Sequence, residues 1–523
     1  MRSIPFLLFI TSLLCSCSQS DQGADTESDV RPNIIFIMTD DHAKNAMSLY
    51  GSKLIQTPNL DRIGKEGMVF NRSYVTNSIC GPSRAVFLTG KYSHINGFKD
   101  NSDQFDGSQM TYPKILQDHG YYTAVVGKWH LKSVPQGFDY WNVLIDQGDY
   151  YNPAMVNMGD TVNHTGYTTS IITDLAIEAL EHKISNDQPF CLMVHHKAPH
   201  RNWMPDSAHL ALGEQTYPLP DNFYDSYENR LAAAQQDQAI SRMFMSSDMK
   251  LEPARVPVET GSGGTSDNTH IAVGWQRLYD QLTEDQKEYW DAYYQPISDE
   301  FFASNLTGNE LIEWKYQRYI NDYLKCIMSV DDNVGRLLNH LEQQGILDNT
   351  LIVYTSDQGF YLGEHGWYDK RFMYEESFGM PLVMRYPPLI KPGSVNDNLV
   401  LNLDFAPTVM DLLGIETDEP WQGKSMLPLL KGEQLELHPD GIYYHYYEYP
   451  HGWHKVKRHY GVSTQRYKLI HFYNDIDQWE LYDLQEDPQE MNNIYESADP
   501  GLVADLKKKL DKLQYQYADI EFE

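Results

Sequence analysis

The sequence predicts an α/β fold, in which a large sheet is flanked by helices and a smaller antiparallel β and helix subdomain follows at the C-terminus. Through residues 31–432, short apolar runs alternate with helical patterns, which is typical of a layered α/β domain. After about Glu433 the pattern changes to closely spaced strand-like runs and one closing helix. With 523 residues, of which 41% are hydrophobic, the chain is long enough for a large domain and a smaller one.

Four apolar runs end in polar, chemically capable residues. They are NIIFIM (33–38) before Thr39-Asp40-Asp41-His42, YTAVVG (122–127) before Lys128-Trp129-His130, PFCLMV (189–194) before HHKAPH (195–200), and LIVYTS (351–356) before Asp357-Gln358-Gly359. Such runs are typical of buried parallel strands, although periodicity alone does not separate them from short buried helices. Ligands of open α/β sheets bind beyond the carboxyl ends of the strands. We therefore expect the four polar ends to form one site.

The remaining segments complete the predicted organisation. The large domain is predicted over 31–432, and its polar and aromatic stretch at about 203–315 is interpreted as an insertion of helices and loops. The C-terminal subdomain is predicted over 433–523. Its strand-like runs are GIYYHYYEY (441–449), RHYGVSTQRYKLIHFY (458–473) and WELYDL (479–484), and its closing helix is LVADLKKKLDKLQYQY.

The N-terminus has the pattern of an export signal. A basic residue precedes the apolar run 4–14, which is too short to cross a bilayer as a helix. The pattern over 1–17 resembles a bacterial lipoprotein signal, with Cys17 as the lipidated residue and 18–30 as a polar linker. A plain secretory peptide is the alternative. We expect an exported protein, in the bacterial periplasm or held at the outer membrane by its lipid.

Charge and cysteine content exclude several classes of protein. The formal net charge of -32 argues against nucleic acid or an anionic membrane surface as the main partner, so a membrane is expected only through the lipid anchor. Five cysteines in an exported chain do not make a disulfide scaffold. Cys191 and Cys326 lie in a strand-like and a helical pattern and are predicted to be buried in the core.

Cys80 differs from the other cysteines, because no hydrophobic pattern surrounds it. It begins the pentapeptide Cys80-Gly81-Pro82-Ser83-Arg84 within the stretch SICGPSRAVFLTGKYSHINGF (78–98). Pro82 and Ser83 are typical of the start of a helix, and a helix N-terminus favours anions. Without these neighbours, a cysteine in a turn would be the better interpretation.

With these motifs, the chain resembles a type I sulfatase of the alkaline phosphatase superfamily. Besides C-x-P-S-R, the resemblance rests on RPNIIFIMTDD, TPNLDRIGKEGMVFNRSYV, YYTAVVGKWH, KAPH, VDDNVGRLL, SDQGFYLGEHGWYDKRFMYEES, LDFAPTVMDLLG and LYDLQEDPQE. It implies an alkaline phosphatase-like large mixed sheet. It also implies hydrolysis of a sulfate ester, in which Cys80 is oxidised by a maturation enzyme to formylglycine. The formylglycine hydrate would attack the sulfur and form a sulfo-enzyme intermediate, whereas a thiolate would have no built-in way to release sulfate.

Two pairs of oxygen-bearing side chains indicate a metal site. Asp40 and Asp41 follow one predicted strand, and Asp357 and Gln358 follow another. Each acid alone would be interpreted as a helix cap or a turn residue, but together they suit Ca²⁺. The resemblance implies that the four bind Ca²⁺ together with the formylglycine at Cys80. The family often has Asp-Asn at the second pair, so ligation by Gln358 is the open point.

The resemblance also implies roles for five basic residues. Arg84 would hold the formylglycine and metal region, and Lys128 and Lys370 would bind sulfate oxygens. His130 would deprotonate the hydrate to expel sulfate, and His200 would protonate the leaving sugar oxygen, tasks that suit a side chain with a pKa near neutrality. A single lysine or histidine outside such a pattern is usually a solvated or a structural residue.

The substrate class is predicted from the C-terminal segment. The pattern Y-E-Y-P, R-H-Y-G-V and R-Y-K-L, together with HKAPHRNW, most resembles N-acetylglucosamine-6-sulfatases. We expect a terminal N-acetylglucosamine 6-O-sulfate of heparan sulfate, keratan sulfate or mucin glycans. The candidate sugar contacts are His445, His451, His454 and His459, although a surface strand pair with solvated charges would have the same composition.

Three alternatives stay open at the level of sequence. One is a sulfatase for another sulfated sugar. A second is a phosphate or phosphonate ester hydrolase of the same superfamily, because some phosphonate hydrolases share C-x-P-S-R, although most phosphatases there use Ser or Thr and a second metal. The third, from another class, is a non-catalytic lipoprotein that binds glycans.

Overall fold

The computed structural model describes residues 31–184, 188–252, 255–256 and 269–520. Residues Pro32–Glu523 form one compact unit. The predicted signal 1–17, its Cys17 and the linker 18–30 lie outside the described residues, so the lipid anchor stays a prediction. Of the helices that are described, none has both the length and the apolar character needed to cross a membrane.

Sixteen β-strands are formed in the described ranges. They are β1 (Asn33–Thr39), β2 (Met68–Phe70), β3 (Ser73–Tyr74), β4 (Tyr122–Gly127), β5 (Tyr140–Leu144), β6 (Ala154–Asn157), β7 (Asp160–Asn163), β8 (Phe190–His195), β9 (Thr350–Ser356), β10 (Leu382–Arg385), β11 (Ser394–Asn396), β12 (Val400–Leu401), β13 (Ile442–Tyr446), β14 (His459–Ser463), β15 (Tyr467–Phe472) and β16 (Gln478–Asp483).

Fourteen α-helices accompany them in the same ranges. They are α1 (Pro58–Lys65), α2 (Cys80–Thr89), α3 (Ser93–Asn96), α4 (Tyr112–Asp118), α5 (Thr168–Ile184), α6 (Ser207–Leu210), α7 (Leu231–Gln235), α8 (Thr269–Asp280), α9 (Glu284–Ser304), α10 (Gly308–Gln343), α11 (Glu375–Phe378), α12 (Phe405–Leu412), α13 (Leu427–Leu430) and α14 (Pro500–Tyr517).

A mixed sheet of ten strands forms the centre of the molecule, in the order β11-β2-β10-β9-β1-β8-β4-β5-β6-β7. The four predicted apolar strands are β9, β1, β8 and β4, which are adjacent and parallel. β10 pairs with β9 in the antiparallel sense, which makes the sheet mixed. The prediction of a large mixed sheet is therefore confirmed.

The register of these strands brings their carboxyl ends to one level. Met38 of β1 lies opposite His195 of β8, and Thr39 lies opposite Ser356 of β9. Gly127 of β4 also lies opposite His195. The residues that follow the four strands consequently meet at one edge of the sheet, as the sequence predicts.

Helices cover both faces of the sheet. Because successive side chains of a strand point to opposite faces, Ile35 and Ile37 of β1 join the buried cluster that includes α5 and α10. Phe36 and Met38 join the cluster on the other face, which includes α2 and α12. Both faces are thus buried, which explains why the central strands are almost entirely apolar.

The C-terminal subdomain is an antiparallel sheet, β13-β14-β15-β16, against which α14 packs. Leu506, Leu510 and Leu513 form the buried stripe of α14 at helical spacing. This bears out the predicted small antiparallel sheet with its closing helix.

The described part of the predicted insertion 203–315 contains helices and loops, with α6 to α9 and the start of α10. No strand occurs in the portion of this segment that the structure describes. α9 begins with a capping box in which the side chains of Thr283 and Gln286 bond reciprocally to the backbone. The boundaries of the insertion and of the two domains stay predictions.

Candidate active site

The first turn of α2 carries the cysteine of the C-x-P-S-R pattern. α2 begins at Cys80, after an extended residue, and every residue of the helix is buried. The backbone N–H groups of a first turn lack partners within the helix, so this end attracts anions. Burial raises the pKa of the Cys80 thiol, which therefore stays protonated at neutral pH.

Arg84 lies one turn further along α2 and joins the helix to two strand ends. Its Nε donates to Asp357 Oδ2 at 2.9 Å, and its Nη1 donates to the carbonyl oxygen of Lys128 at 2.7 Å. Burial alone would lower the pKa of Arg84, but Asp357 and Asp40 raise it above its ordinary value. The guanidinium is therefore permanently charged, and its hydrogen bonds connect α2 to the residues that follow β9 and β4.

The two predicted ligand pairs meet where β1 and β9 end. The Asp41 N–H donates to Asp357 Oδ1 at 3.1 Å. Gln358 Nε2 donates to Asp41 Oδ1 at 2.5 Å and to Asp357 Oδ1 at 2.7 Å. With Asp40, these side chains are fully buried. Parallel pairing of β1 with β9 therefore assembles the four predicted ligands.

Burial and the neighbouring charges shift the pKa values of the three buried carboxylates. Burial, opposed in part by Lys370, raises the pKa of Asp41 to about 6. Burial and the charge of Asp40 raise the pKa of Asp357 to about 7. Burial would also raise the pKa of Asp40, but Lys128 and other cations hold it well below its ordinary value.

Two oxygens of this group indicate a cation. Asp40 Oδ1 and Gln358 Oε1 are buried and have no hydrogen-bond partner among the described residues. An unpaired buried oxygen is costly, and a hard cation would satisfy both. Asp40, Asp41 and His200 also offer ligand atoms within 4.8 Å of one another. The residues therefore fit a divalent metal ion with oxygen ligands.

Two lysines face the carboxylates. Lys370 Nζ donates to Asp41 Oδ1 at 2.6 Å and to Oδ2 at 2.7 Å, and Lys128 Nζ contacts Asp40 Oδ2. Lys128 also donates to Gln147 Oε1 at 2.5 Å. Burial alone would lower the pKa of Lys370, but the neighbouring carboxylates raise it above its ordinary value, so it is an ammonium at neutral pH.

The two predicted catalytic histidines lie beside these lysines. His130 Nε2 lies 3.0 Å from Gln147 Nε2. His200 Nδ1 lies 2.6 Å from the carbonyl oxygen of Arg201, and its Nε2 lies 3.9 Å from Asp41 Oδ2. Burial lowers the pKa of both imidazoles well below the ordinary value. Both rings are therefore neutral in this arrangement.

A cavity of about 700 Å³ opens over the group and is of a size that suits a small ligand. Cys80, His130, His200 and Lys370 line it together with Trp275 of α8 and residues of the loop between β13 and β14. The cavity wall thus combines strand ends, the insertion and the C-terminal subdomain.

Two of the four predicted sugar-contact histidines line this cavity. His454 Nε2 lies 2.9 Å from Asp369 Oδ2, and His451 Nε2 lies 2.9 Å from Asp100 Oδ2. Both belong to the loop between β13 and β14.

The structure places the other two away from the cavity. His445 Nδ1 lies 2.6 Å from Asp519 Oδ2 in the buried core of the subdomain. His459 Nε2 accepts the Met373 N–H at 3.1 Å, and burial lowers the pKa of His459 to about 3. Both histidines are on paired strands, whose packing directs these side chains inward, so neither is carried into the proposed site.

Sequence reasoning missed two charged residues that flank Lys370. Asp369 and Arg371 line the cavity and contact each other. Both have positive φ values, 78° and 93°, in the left-handed region that is uncommon for such residues. The run of three consecutive charged residues, Asp369-Lys370-Arg371, was the signal that could have identified them.

Comparisons with known proteins show the family of the chain and agree with this fold. The sequence model of the family described as "Sulfatase" matches residues 32–415, and that of "N-sulphoglucosamine sulphohydrolase, C-terminal" matches residues 363–516. The chain therefore belongs to the sulfatase family and is a sulfuric ester hydrolase.

The most informative relatives act on glucosamine sugars. An N-acetylglucosamine-6-O-sulfatase of Bacteroides thetaiotaomicron is 49% identical over 99% of this chain and 92% of its own length. A solved structure of a protein in complex with its substrate D-glucosamine-2-N,6-O-disulfate has a TM-score of 0.88 and 49% identity, over 94% of this chain and 99% of its own. The human N-acetylglucosamine-6-sulfatase is 27% identical over 77% of this chain and 65% of its own.

Proposed function

We propose that this sulfatase removes the 6-O-sulfate from glucosamine-type sugars, above all N-acetylglucosamine 6-O-sulfate of heparan, keratan or mucin-type glycans. The observation that carries the proposal is the 49% identity to an N-acetylglucosamine-6-O-sulfatase over 99% of the chain. This identity spans both the catalytic sheet and the C-terminal subdomain. The aligned region therefore covers the loops that wall the cavity as well as the C-x-P-S-R pattern.

The C-terminal family match supports the choice of sugar. The matched residues 363–516 include Lys370 as well as the two cavity-lining histidines His451 and His454. A subdomain similar to that of an N-sulphoglucosamine sulphohydrolase is expected to accommodate a glucosamine ring. We assign 31–432 to the catalytic domain and 433–523 to this subdomain.

We further propose that Cys80 is converted to formylglycine and that Asp40, Asp41, Asp357 and Gln358 hold Ca²⁺ together with residue 80. The unpaired buried oxygens of Asp40 and Gln358 support an oxygen-liganded ion, and Ca²⁺ accepts six to eight such ligands. When present, the formylglycine hydrate supplies the attacking hydroxyl and the ion polarises it and a sulfate oxygen.

The cations of the chain would bind the sulfate group. The side chains of Lys128 and Lys370 contact the carboxylates of the proposed metal site, where they would bind the sulfate oxygens on which charge accumulates in the transition state. Arg84 remains bonded to Asp357 and keeps α2 in place. Together they supply local positive charge within a strongly acidic protein.

The histidines would move the two protons. His130 is neutral, and a neutral imidazole can accept the proton of the hydrate hydroxyl that expels sulfate. His200 directs Nε2 toward the site, because Nδ1 bonds the Arg201 carbonyl. A bound sulfate raises the pKa of a nearby imidazole, so substrate binding favours the protonated His200 that donates to the leaving sugar oxygen.

A panel of defined sulfated sugars tests the substrate. We expect release of sulfate from N-acetylglucosamine 6-sulfate to exceed release from the 3-sulfate and from galactose 6-sulfate by at least about tenfold in kcat/KM. Phosphate and phosphonate esters are assayed in parallel. Faster turnover of a phosphorus ester, or no preference for the glucosamine 6-sulfate, would contradict the proposal.

We also propose that the chain is exported and is lipidated at Cys17. Export agrees with the apolar run 4–14 and with the proposed substrate, because such glycans occur outside the cell. Metabolic labelling with a fatty acid checks the anchor. Label in the wild type and none in Cys17→Ser is expected, and equal label in both would exclude lipidation at this residue.

A further inference from the structure

We propose that Asn101 is a positioning residue for the reaction, because its carboxamide fixes the side chain of residue 80 at the start of α2. The inference rests on the proposed role of residue 80 as the nucleophile. Asn101 lines the cavity and belongs to a loop that C-x-P-S-R does not include.

The contacts of Asn101 define how its amide is oriented. Oδ1 accepts the N–H of Gly81 at 3.3 Å, in the first turn of α2. Nδ2 therefore faces Cys80 and lies 3.6 Å from its Sγ. The carboxamide thus engages two consecutive residues, one through the backbone and one through the side chain.

The glycine that follows Cys80 is explained by this contact. A Cβ atom on Gly81 would lie 2.5 Å from Phe98 Cε1 and 2.8 Å from Asn101 Oδ1, so these two side chains would have to move away. The signature C-x-P-S-R leaves this position open. In this chain the glycine allows Asn101 to approach the nucleophile.

Three further contacts hold the loop that carries Asn101. The neighbouring Asp100 bonds His451 of the C-terminal subdomain at 2.9 Å. Lys132 Nζ contacts the carbonyl oxygen of Asn101, and Asn77 Nδ2 donates to the carbonyl oxygen of Lys99 at 3.0 Å. Because the loop is tied on several sides, the carboxamide is held in one place before substrate binds.

This placement has a chemical consequence. An N–H group beside residue 80 can donate to an oxygen on its Cβ and select one orientation of that side chain. Catalysis is sensitive to such orientation, since a displacement of about 1 Å can lower a rate by about a hundredfold. Asn101 would thereby act on turnover more than on substrate affinity.

The experiment compares Asn101→Ala and the isosteric Asn101→Asp with wild type, with Asn71→Ala, an exposed asparagine, as the matched control. Measurements are kcat and KM on N-acetylglucosamine 6-sulfate and on 4-nitrophenyl sulfate, and the formylglycine fraction at residue 80 by peptide mass. The aryl sulfate keeps the test valid if the proposed sugar is wrong, because orientation of residue 80 does not depend on the sugar. The iodoacetamide reaction of Cys80 is measured on chain made without the maturation enzyme.

We expect kcat to fall at least about tenfold in both Asn101 variants, with KM within about threefold and an unchanged formylglycine fraction. Alkylation of Cys80 should be faster in Asn101→Ala than in Asn101→Asp, which keeps the volume. A wild-type kcat in Asn101→Asp would show that the side chain only fills space, and would overturn the proposal. Two other results would also overturn the proposal. One is a loss of activity in proportion to a loss of formylglycine, and the other is a loss of activity caused by a rise of KM. If Asn101→Ala does not fold, the kcat of the isosteric Asn101→Asp alone tests the proposal.

Discussion

Glu480 provides a test of the electrostatics of the subdomain. It lies on β16, is fully buried, and its Oε2 accepts hydrogen bonds from Tyr374 and Tyr482 at 2.8 and 2.7 Å. Burial raises its pKa from 4.5 to about 7, although both tyrosine hydroxyls and Arg230 oppose the shift. The folded protein therefore keeps a proton on Glu480 that the unfolded chain loses at lower pH.

This difference fixes both the sign and the size of the effect. Because the folded pKa is raised, the stabilisation is fully present below pH 4.5 and is lost as the pH rises through 7. The shift of about 2.5 units corresponds to roughly 3 kcal/mol in the free energy of unfolding, as an order of magnitude. Glu480→Gln removes the ionisation, so the free energy of unfolding of the variant, measured relative to wild type, should be higher at pH 8 than at pH 5.

The assay is the melting temperature of Glu480→Gln and wild type at pH 5 and pH 8. For a chain of this length 1 kcal/mol corresponds to roughly 1 to 2 °C, so the gain of the variant at pH 8 over pH 5 should be about 3 °C or more. Glu433→Gln, an exposed position, controls for the change of charge. The same difference from wild type at both pH values would refute the reasoning that burial holds this proton.

Three further predictions concern the site. Arg84→Lys cannot reproduce the contacts of the guanidinium, so Asp357 loses a buried partner. We therefore expect kcat/KM to fall at least about a hundredfold. Near-normal turnover would contradict the role of Arg84 in joining α2 to β9. Removal of the proposed Ca²⁺ with EGTA should abolish activity and lower the melting temperature, with recovery on Ca²⁺ but not Mg²⁺; an unchanged melting curve would argue against the ion. His454→Ala should raise KM for the sugar sulfate and leave KM for 4-nitrophenyl sulfate unchanged. His459→Ala should lower the melting temperature without changing KM. The reverse pattern would show that His459 contacts the sugar and that His454 is structural.

The central strands were predictable because each is buried on both faces. β1 and β9 read as continuous apolar runs with polar residues directly after them, and the structure gives them nearly the predicted bounds. The first half of α10 is harder to recognise in the sequence than its second half. The first half buries the charged residues Lys315, Arg318 and Asp322 among its apolar and aromatic ones, so the hydrophobic pattern there is less distinct.

The candidate site was predictable where chemistry and strand ends coincide in sequence. Asp40 and Asp357 follow apolar strands, so parallel pairing was enough to bring them together. Asn101 and Asp369 lie in loops without a periodic pattern. Asn101 approaches Cys80 through the folding of the loop that carries it, and Asp369, although it is next to Lys370 in sequence, contacts His454 of the C-terminal segment; no local pattern reports either contact.

The sequence by itself determined the family, the sheet and the reactive residue types, because C-x-P-S-R and the strand ends are local patterns. Only the tertiary structure decided which histidines of the C-terminal segment face the cavity. His451 and His454 lie in a loop that reaches it, whereas His445 and His459 lie on strands whose packing turns their rings into the core. The physical reason is that all four histidines lie in a segment of similar composition, so the sequence does not distinguish them. The direction of each side chain is set by strand pairing and by packing against distant elements.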